Sequence, residues 1–234
     1  MTQTPAPRSA RARARAELTR EIKNVARRQL GEVGSAGLSL RAVARELGMV
    51  SSALYRYFPS RDELLTALII DAYSAAGQAG ASADAAMRRT DHLGRWLAVT
   101  RAVRHWAKER PQEYALIFGS PVPGYAAPEQ TIEPAAQIPL LLIGVINDAC
   151  AAGKRPPARN RPIPRPVRSD LAALARQIAP NMDEGQLGRA VMAWTQLIGA
   201  ISFELFGHLH NVIFDFDAYF DYQMRELAAD VGLR

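Results

Sequence analysis

The chain has 234 residues, 48% of them apolar, and a single cysteine, Cys150. It is long enough to bury a sizeable core and is no disordered tail, while one cysteine excludes an intramolecular disulfide and a zinc cluster built from several thiolates. The formal charge of +6 is uneven: residues 1–61 carry twelve Lys and Arg against four Asp and Glu, a net of +8 that leaves −2 for the other 173 residues. A strongly basic end on a near-neutral remainder is the footprint of a phosphate-binding module joined to a domain with another task.

The N-terminal residues are rich in Arg and Ala without the apolar segment of a secretory signal. No apolar run approaches the roughly 20 residues that span a bilayer, so a cytoplasmic protein with no membrane partner is expected. Arg11, Arg13 and Arg15 alternate with alanine in a basic arm, residues 1–15. Beyond it the spacing of Leu18, Ile22, Val25, Ala26 and Leu30 predicts one amphipathic helix over 14–33. Two readings of the arginines stand: a flexible arm that enters a minor groove, or the solvated start of a helix.

Residues 38–65, LSLRAVARELGMVSSALYRYFPSRDELL, are the most informative stretch. Val43, Ala44 and Leu47 share one face at helical spacing, Gly48 supplies a turn, and Ala53, Leu54 and Phe58 return an apolar face to pack on the first. The other face of this second helix, 51–57, is left free with Ser51, Ser52, Tyr55, Arg56 and Tyr57, groups suited to base edges and phosphates. Pro59 ends it. Ser60-Arg61-Asp62-Glu63 then fits a capping box and starts a helix burying Leu64, Leu65, Leu68 and Ile69. Double-stranded DNA is the expected partner, with Val50, Ser51, Ser52 and Ala53 on base edges and methyl groups, Arg41 on a guanine or phosphate, and Tyr55, Tyr57 and Arg61 on phosphates.

With these residues in place, 18–73 resembles the N-terminal domain of the TetR family of bacterial transcriptional regulators. Leu38, Ser39, Arg41, Val43, Ala44, Leu47, Gly48, Ser51, Leu54, Tyr55, Tyr57, Phe58, Ser60, Leu64 and Leu65 stand where that family has them, and Arg61 replaces the usual Lys. The resemblance adds Ser39 to the DNA-binding set. It implies an all-α protein: a three-helix helix-turn-helix domain over 16–60, a connecting helix over 61–80, and an all-helical effector-binding and dimerisation domain over 81–234.

The second part continues in helices. One is predicted over 91–109, with Leu93, Leu97, Val99, Val103 and Trp106 on its stripe, and a short one opens at Pro111 and buries Tyr114, Leu116, Ile117 and Phe118. Gly77 and Gly80 weaken the end of the connecting helix, which places the domain junction within 75–89. A largely apolar helix over 129–152, too short and too interrupted for a membrane span, ends at Gly153. Residues 154–168, with five prolines and six cations, are expected to form an extended surface loop; a second DNA contact is the other reading. Helices over 169–178, 183–208 and 209–231 complete the chain.

Residues 113–207 resemble the WHG-type C-terminal domain of one branch of the same family, through Leu116 to Pro121, Trp194 to Gly199, and Phe203-Glu204. Ile198 stands in place of the motif's histidine. The resemblance implies a small-molecule pocket lined by Trp96, Val103, Trp106, Tyr114, Phe118, Trp194 and Ile198, for an apolar or aromatic effector. It also implies a homodimer through the last two long helices, using Leu197, Ile201, Leu205, Phe216 and Phe220. Central packing within one chain is the competing account of those apolar faces. Arg101, Arg104 and His105 either anchor an acidic ligand or face solvent.

Nothing in the sequence points to catalysis, a cofactor or a metal. His208 and His210, two apart on a helix, would aim their imidazoles in different directions, and no nucleophile elbow or phosphate loop occurs. The expected function is a sequence-specific, ligand-responsive repressor that binds an inverted-repeat operator as a homodimer. The alternative is a constitutive or architectural DNA binder that senses nothing.

Overall fold

A computed structural model of the chain describes residues 10–157 and 162–234; 1–9 of the basic arm and 158–161 of the proline-rich stretch lie outside the described residues. The chain is all-α, with no strand among the described residues. The first domain comprises α1 (Ala10–Gly37), α2 (Leu40–Glu46) and α3 (Ser51–Tyr55). Helix α1 begins earlier than its apolar stripe requires, because alanine and arginine are strong helix formers even where nothing is buried. It breaks at Gly34, whose φ of 70° suits glycine. Ser39 caps α2 by accepting from the Ala42 amide, and Gly48, at φ 66°, makes the turn to α3.

Helix α4 (Arg61–Ala85) is capped by Ser60, which accepts from the Glu63 amide at 3.1 Å. Leu64, Leu65 and Leu68 enter the first domain's core, while Ala72 and Ala76 enter the second's. The helix runs past Gly77 and Gly80, five residues beyond the expected end of the connecting helix at 80; both are buried within it. A Cβ on Gly77 would lie 2.7 Å from Gln137 Cβ, and one on Gly80 3.1 Å from Leu141 Cδ2. These glycines let another helix approach, and that contact outweighs their low helix propensity.

The approaching helix is α7 (Ile132–Ala151), reached through α5 (His92–Glu109), α6 (Pro111–Phe118) and a 3-10 turn, Glu129–Thr131. Glu129–Ala151 is in fact long and apolar enough to cross a membrane by composition, with a mean hydropathy of 1.4 over its best window. Its apolar face, including Ile138, Leu142, Val145 and Ile146, is instead buried in the second core. Helix α8 (Arg165–Ile178) starts inside the stretch expected to be extended, since Pro166 sits in the first turn, where a missing N–H costs nothing. Helix α9 (Glu184–Leu205) opens on an Asp183/Gln186 capping box. Helix α10 (Phe216–Asp230) starts later than expected, because Gly207 (φ 77°) and Asn211 (φ 62°) turn the chain and Asp215 caps Ala218.

One buried charge cluster ties the far end of α4 to this bundle. Arg95, 2% exposed, donates to Asp84 at 2.7 and 3.2 Å and to Asp148 at 2.8 Å, and Arg89 adds bonds to both acids. Burial alone would raise the Asp84 carboxyl, but the hydrogen bonds from Arg95 and Arg89 outweigh it and hold the group below the usual carboxylate range. A pKa lowered on folding contributes stability that is present above the unfolded-state value and is lost as pH falls through the folded one. Asp84→Ala leaves Arg95 buried beside a single remaining acid. It is expected to cost about 3–5 kcal/mol at neutral pH and to flatten the acid limb of a urea-midpoint titration below about pH 4; an unchanged acid limb would assign that sensitivity to other groups.

Candidate nucleic-acid interface

Leu54, fully buried, anchors α3 against α2 through Val43 and Ala44. That anchoring turns Val50 (70% exposed), Ser52, Tyr55 and Arg56 outward, with Arg41 and Arg45 exposed on α2. Ser51, Ala53 and Tyr57 are half-buried. The helix is shorter than the expected 51–57, since Arg56 and Tyr57 close a turn by donating to Ala53 and Leu54 carbonyls at 3.3 and 2.8 Å.

Arg11, Arg13 and Arg15 lie exposed on the first turns of α1, part of the helix rather than of a separate arm. Arg15 is not free. Its guanidinium sits 4.8 Å from the Tyr57 ring centroid and donates to the Arg56 carbonyl at 3.3 Å. Arg11, Arg15 and Arg56 edge a groove of about 420 Å³ between α1 and α3, floored by Leu18, Met49 and Ala53. Tyr57, expected to hold a phosphate, is instead covered by Arg15, and the Ser39 hydroxyl is engaged as a cap at 3.5 Å.

Arg61 also departs from its expected place. Its Nε donates to the Leu38 carbonyl at 3.2 Å and its Nη2 to the Ser35 carbonyl at 2.7 Å. A guanidinium on the carbonyl end of α1 satisfies groups that have no partner within that helix. The side chain thereby joins the start of α4 to the turn between α1 and α2.

In the second domain Trp96, Val103, Trp106 and Tyr114 are packed into the core, so they form no open pocket together. The Trp96 indole N–H is spent on the Met224 carbonyl at 2.9 Å. The Tyr114 hydroxyl donates to the Ile198 carbonyl and meets Ser202 Oγ, both at 2.8 Å; burial pushes its pKa up to about 12 against the Ser202 bond. Because Ile198 contributes its backbone there, the contact does not depend on the side chain that replaces histidine. Phe118, Trp194 and Ile198 are half-buried. The indole N–H groups of Trp106 and Trp194 are buried with no acceptor among the described residues, and Trp106 walls a groove of about 660 Å³ between α4 and α5 with Gln78 and His105.

Arg101 and Arg104 do not await an acidic ligand. Arg101 pairs with Asp221, and Arg104 is held by Glu204 at 2.6 and 2.7 Å and by Asp217 at 2.7 Å. Of the expected dimer residues, Leu197, Ile201 and Phe220 are buried in their own chain, while Leu205 and Phe216 are half-buried. Helix α9 carries two apolar faces about 180° apart at 100° per residue, and the core takes the face of Leu197 and Ile201. Met192, Phe203 and Phe206 are left exposed on the other.

With this geometry in view, the matches to known proteins are consistent along the whole chain. Residues 22–68 match the family described as bacterial regulatory proteins, tetR family, and 96–227 match a tetracyclin repressor-like C-terminal domain. The HTH-type transcriptional regulator Rv1816 of Mycobacterium tuberculosis is 40% identical over 226 residues, covering 92% of this chain and 93% of the relative. The chain belongs to the TetR family. The Mycobacterium bovis regulator Mb1846 matches to the same extent. The crystal structure of SCO4313, described as a regulatory protein, superposes with a TM-score of 0.75 at 38% identity, covering 95% of this chain and 98% of that one. A Rhodococcus sp. RHA1 protein of unknown function shares the fold at TM-score 0.66 and 23% identity, over 97% and 100% of the two chains.

This TetR-family chain is thus a DNA-binding transcriptional regulator, and its C-terminal match is wider than the 113–207 that motif fragments indicated. Sequence reasoning missed Arg45, although its position four residues after Arg41 puts both on one face of α2. It also gave Val122 and Tyr125 no part in the first domain, on whose core they pack. Arg61→Ala is expected to cost about 1–3 kcal/mol of stability through its lost bonds to carbonyls while leaving the salt dependence of DNA binding as in the parent. A salt slope flattened by about one counterion would restore Arg61 to a phosphate contact.

Proposed function

We propose that the protein is a ligand-responsive repressor that binds an inverted-repeat operator as a homodimer. The single observation that carries this reading is the outward face of α2 and α3, where Arg41, Arg45, Val50, Ser52, Tyr55 and Arg56 stand beside the Arg11–Arg15–Arg56 groove on α1. Val50, Ser51, Ser52 and Ala53 read base edges and methyl groups from the start of α3, Arg41 reaches a guanine or phosphate, and Tyr55 and Arg56 hold phosphates. Arg11 and Arg13 lie along the backbone or enter the neighbouring minor groove. Its place of action is the cytoplasm, where chromosomal DNA is, and the reading includes no catalytic step.

What supports a dimer is an exposed apolar surface: Met192 and Phe203 from α9, Val212 and Phe214 (88% exposed) from the following turns, and Tyr222 from α10. A second copy related by a dyad would cover this surface and place two copies of α3 on successive major grooves. What supports an effector over a constitutive binder is the pair of buried indole N–H groups on Trp106 and Trp194. An apolar or aromatic molecule carrying an acceptor would satisfy what the protein leaves unpaired. It regulates only if it binds the DNA-competent and incompetent states unequally.

Selection from random duplex DNA is expected to return an inverted repeat with half-site centres about 34–36 Å apart, or a small multiple; one asymmetric half-site would overturn the dimer reading. Phe203→Glu with Phe214→Glu is expected to give monomers in sedimentation and to weaken operator binding by about a hundredfold or more. Arg56→Ala should weaken all sequences alike and lower the salt slope by about one, whereas Ser52→Ala should change discrimination among sites. Competition binding at three salt concentrations separates those two outcomes.

A further inference from the structure

A cleft of about 460 Å³ opens between the two domains, bounded by the end of α1, the outer side of α6 and Phe206. Leu30, Ala115, Leu116 and Phe206 give it an apolar floor, and Ser35, Gln112 and Ser120 stand at its edge. Among the described residues those three side chains make no hydrogen bond to protein. Among the described residues no charged side chain lines the cleft. An apolar concavity at a domain junction with a few uncommitted polar groups has the make-up of a small-molecule site. A charged ligand would lose hydration there and gain no counter-charge, so the lining selects for a neutral one.

The walls of the cleft belong to parts that report to the DNA-binding domain. Gln112 lies against α1, where a Cβ on Gly31 would come within 3.3 Å of its Cγ, and α1 breaks at Gly34 on the cleft's rim. Beyond Gly119 and Ser120 the chain inserts Val122 into the first domain's core, and the Tyr125 hydroxyl meets Thr66 Oγ at 2.8 Å. On its inner side α6 is held by Tyr114, whose ring lies 6.2 Å from that of Phe206. A molecule wedged in the cleft therefore touches α1 and the root of a segment built into the helix-turn-helix core.

We propose that this cleft is a second effector site, separate from the tryptophan region, for an uncharged molecule with an apolar body and two or three hydrogen-bonding groups such as amides or hydroxyls. Its occupancy sets the spacing of α6 from α1 and so biases DNA affinity. Only this last consequence rests on the operator-binding reading above.

The test uses the full chain with benzamide and benzoate, probes of one shape that differ in charge. By ligand-observed NMR benzamide is expected to bind with a Kd on the order of 1 mM, and benzoate at least about tenfold more weakly. Ala115→Trp, which fills the floor, should abolish benzamide binding. Gln112→Ala, an exposed position whose loss leaves the fold intact, should weaken it by about three- to tenfold. Equal binding of the two probes, or benzamide binding that neither substitution changes, would overturn the site. With the selected operator, saturating benzamide should shift affinity by about threefold or more in the parent and leave Ala115→Trp unmoved. Unshifted affinity in a chain that still binds its operator overturns the coupling alone. A chain that binds no DNA overturns the operator reading, while the NMR arms still decide the site.

Discussion

The close contact of α4 with α7 is the constraint on which the rest of the structure depends. Helix α4 puts fully buried side chains into both cores: Leu64, Leu65 and Leu68 below, Ala72 and Ala76 above. Its upper half can serve a packed bundle only because Gly77 and Gly80 let α7 come within contact of its backbone, and because the Arg95 cluster fixes its last turn. Interiors this dense transmit displacement rather than absorb it. A shift of the second domain's helices is carried down α4 to the helix-turn-helix that packs on its first turns.

A second connection runs beside the first. On α1, Arg27 pairs with Asp71 of α4 at 2.7 Å and approaches Glu113 of α6 at 3.7 Å, while Lys23 reaches Asp71 at 2.9 Å. The segment after α6 adds Val122 to the first core, and Tyr73 of α4 donates to the Ile117 carbonyl at 3.2 Å. The DNA-binding domain is thus held at its base by α4 and at its side by α6. Two contacts of different chemistry, one apolar and one ionic, make its orientation a property of the second domain's packing.

The helix-turn-helix is legible in the sequence because its signals are local: period 3.6, a turn glycine, Ser60 as a cap, and a proline stop. The same kind of signal placed α5, α6 and the start of α9, each marked by a capping acid or a first-turn proline. It failed where a residue's role is set by something distant. Gly77 and Gly80 read as weak helix formers until α7 stands against them, and Arg61 reads as a surface cation until the carbonyls of Ser35 and Leu38 are found beside it.

The sequence by itself determined that the chain is helical, where its helix-turn-helix lies, and that a near-neutral second domain follows, because backbone preference, capping and side-chain periodicity act over a few residues. Only the tertiary structure decided which apolar face of α9 is core and which is open. Leu197 and Phe203 are equally apolar in the sequence, and their fates diverge because one half-turn of the helix meets the bundle and the other does not. It likewise decided that Arg104 is spent on Glu204 and that Trp96 is spent on Met224, since both partners are about a hundred residues or more away. Burial and pairing are set by what the fold brings together, and no window along the chain contains that information.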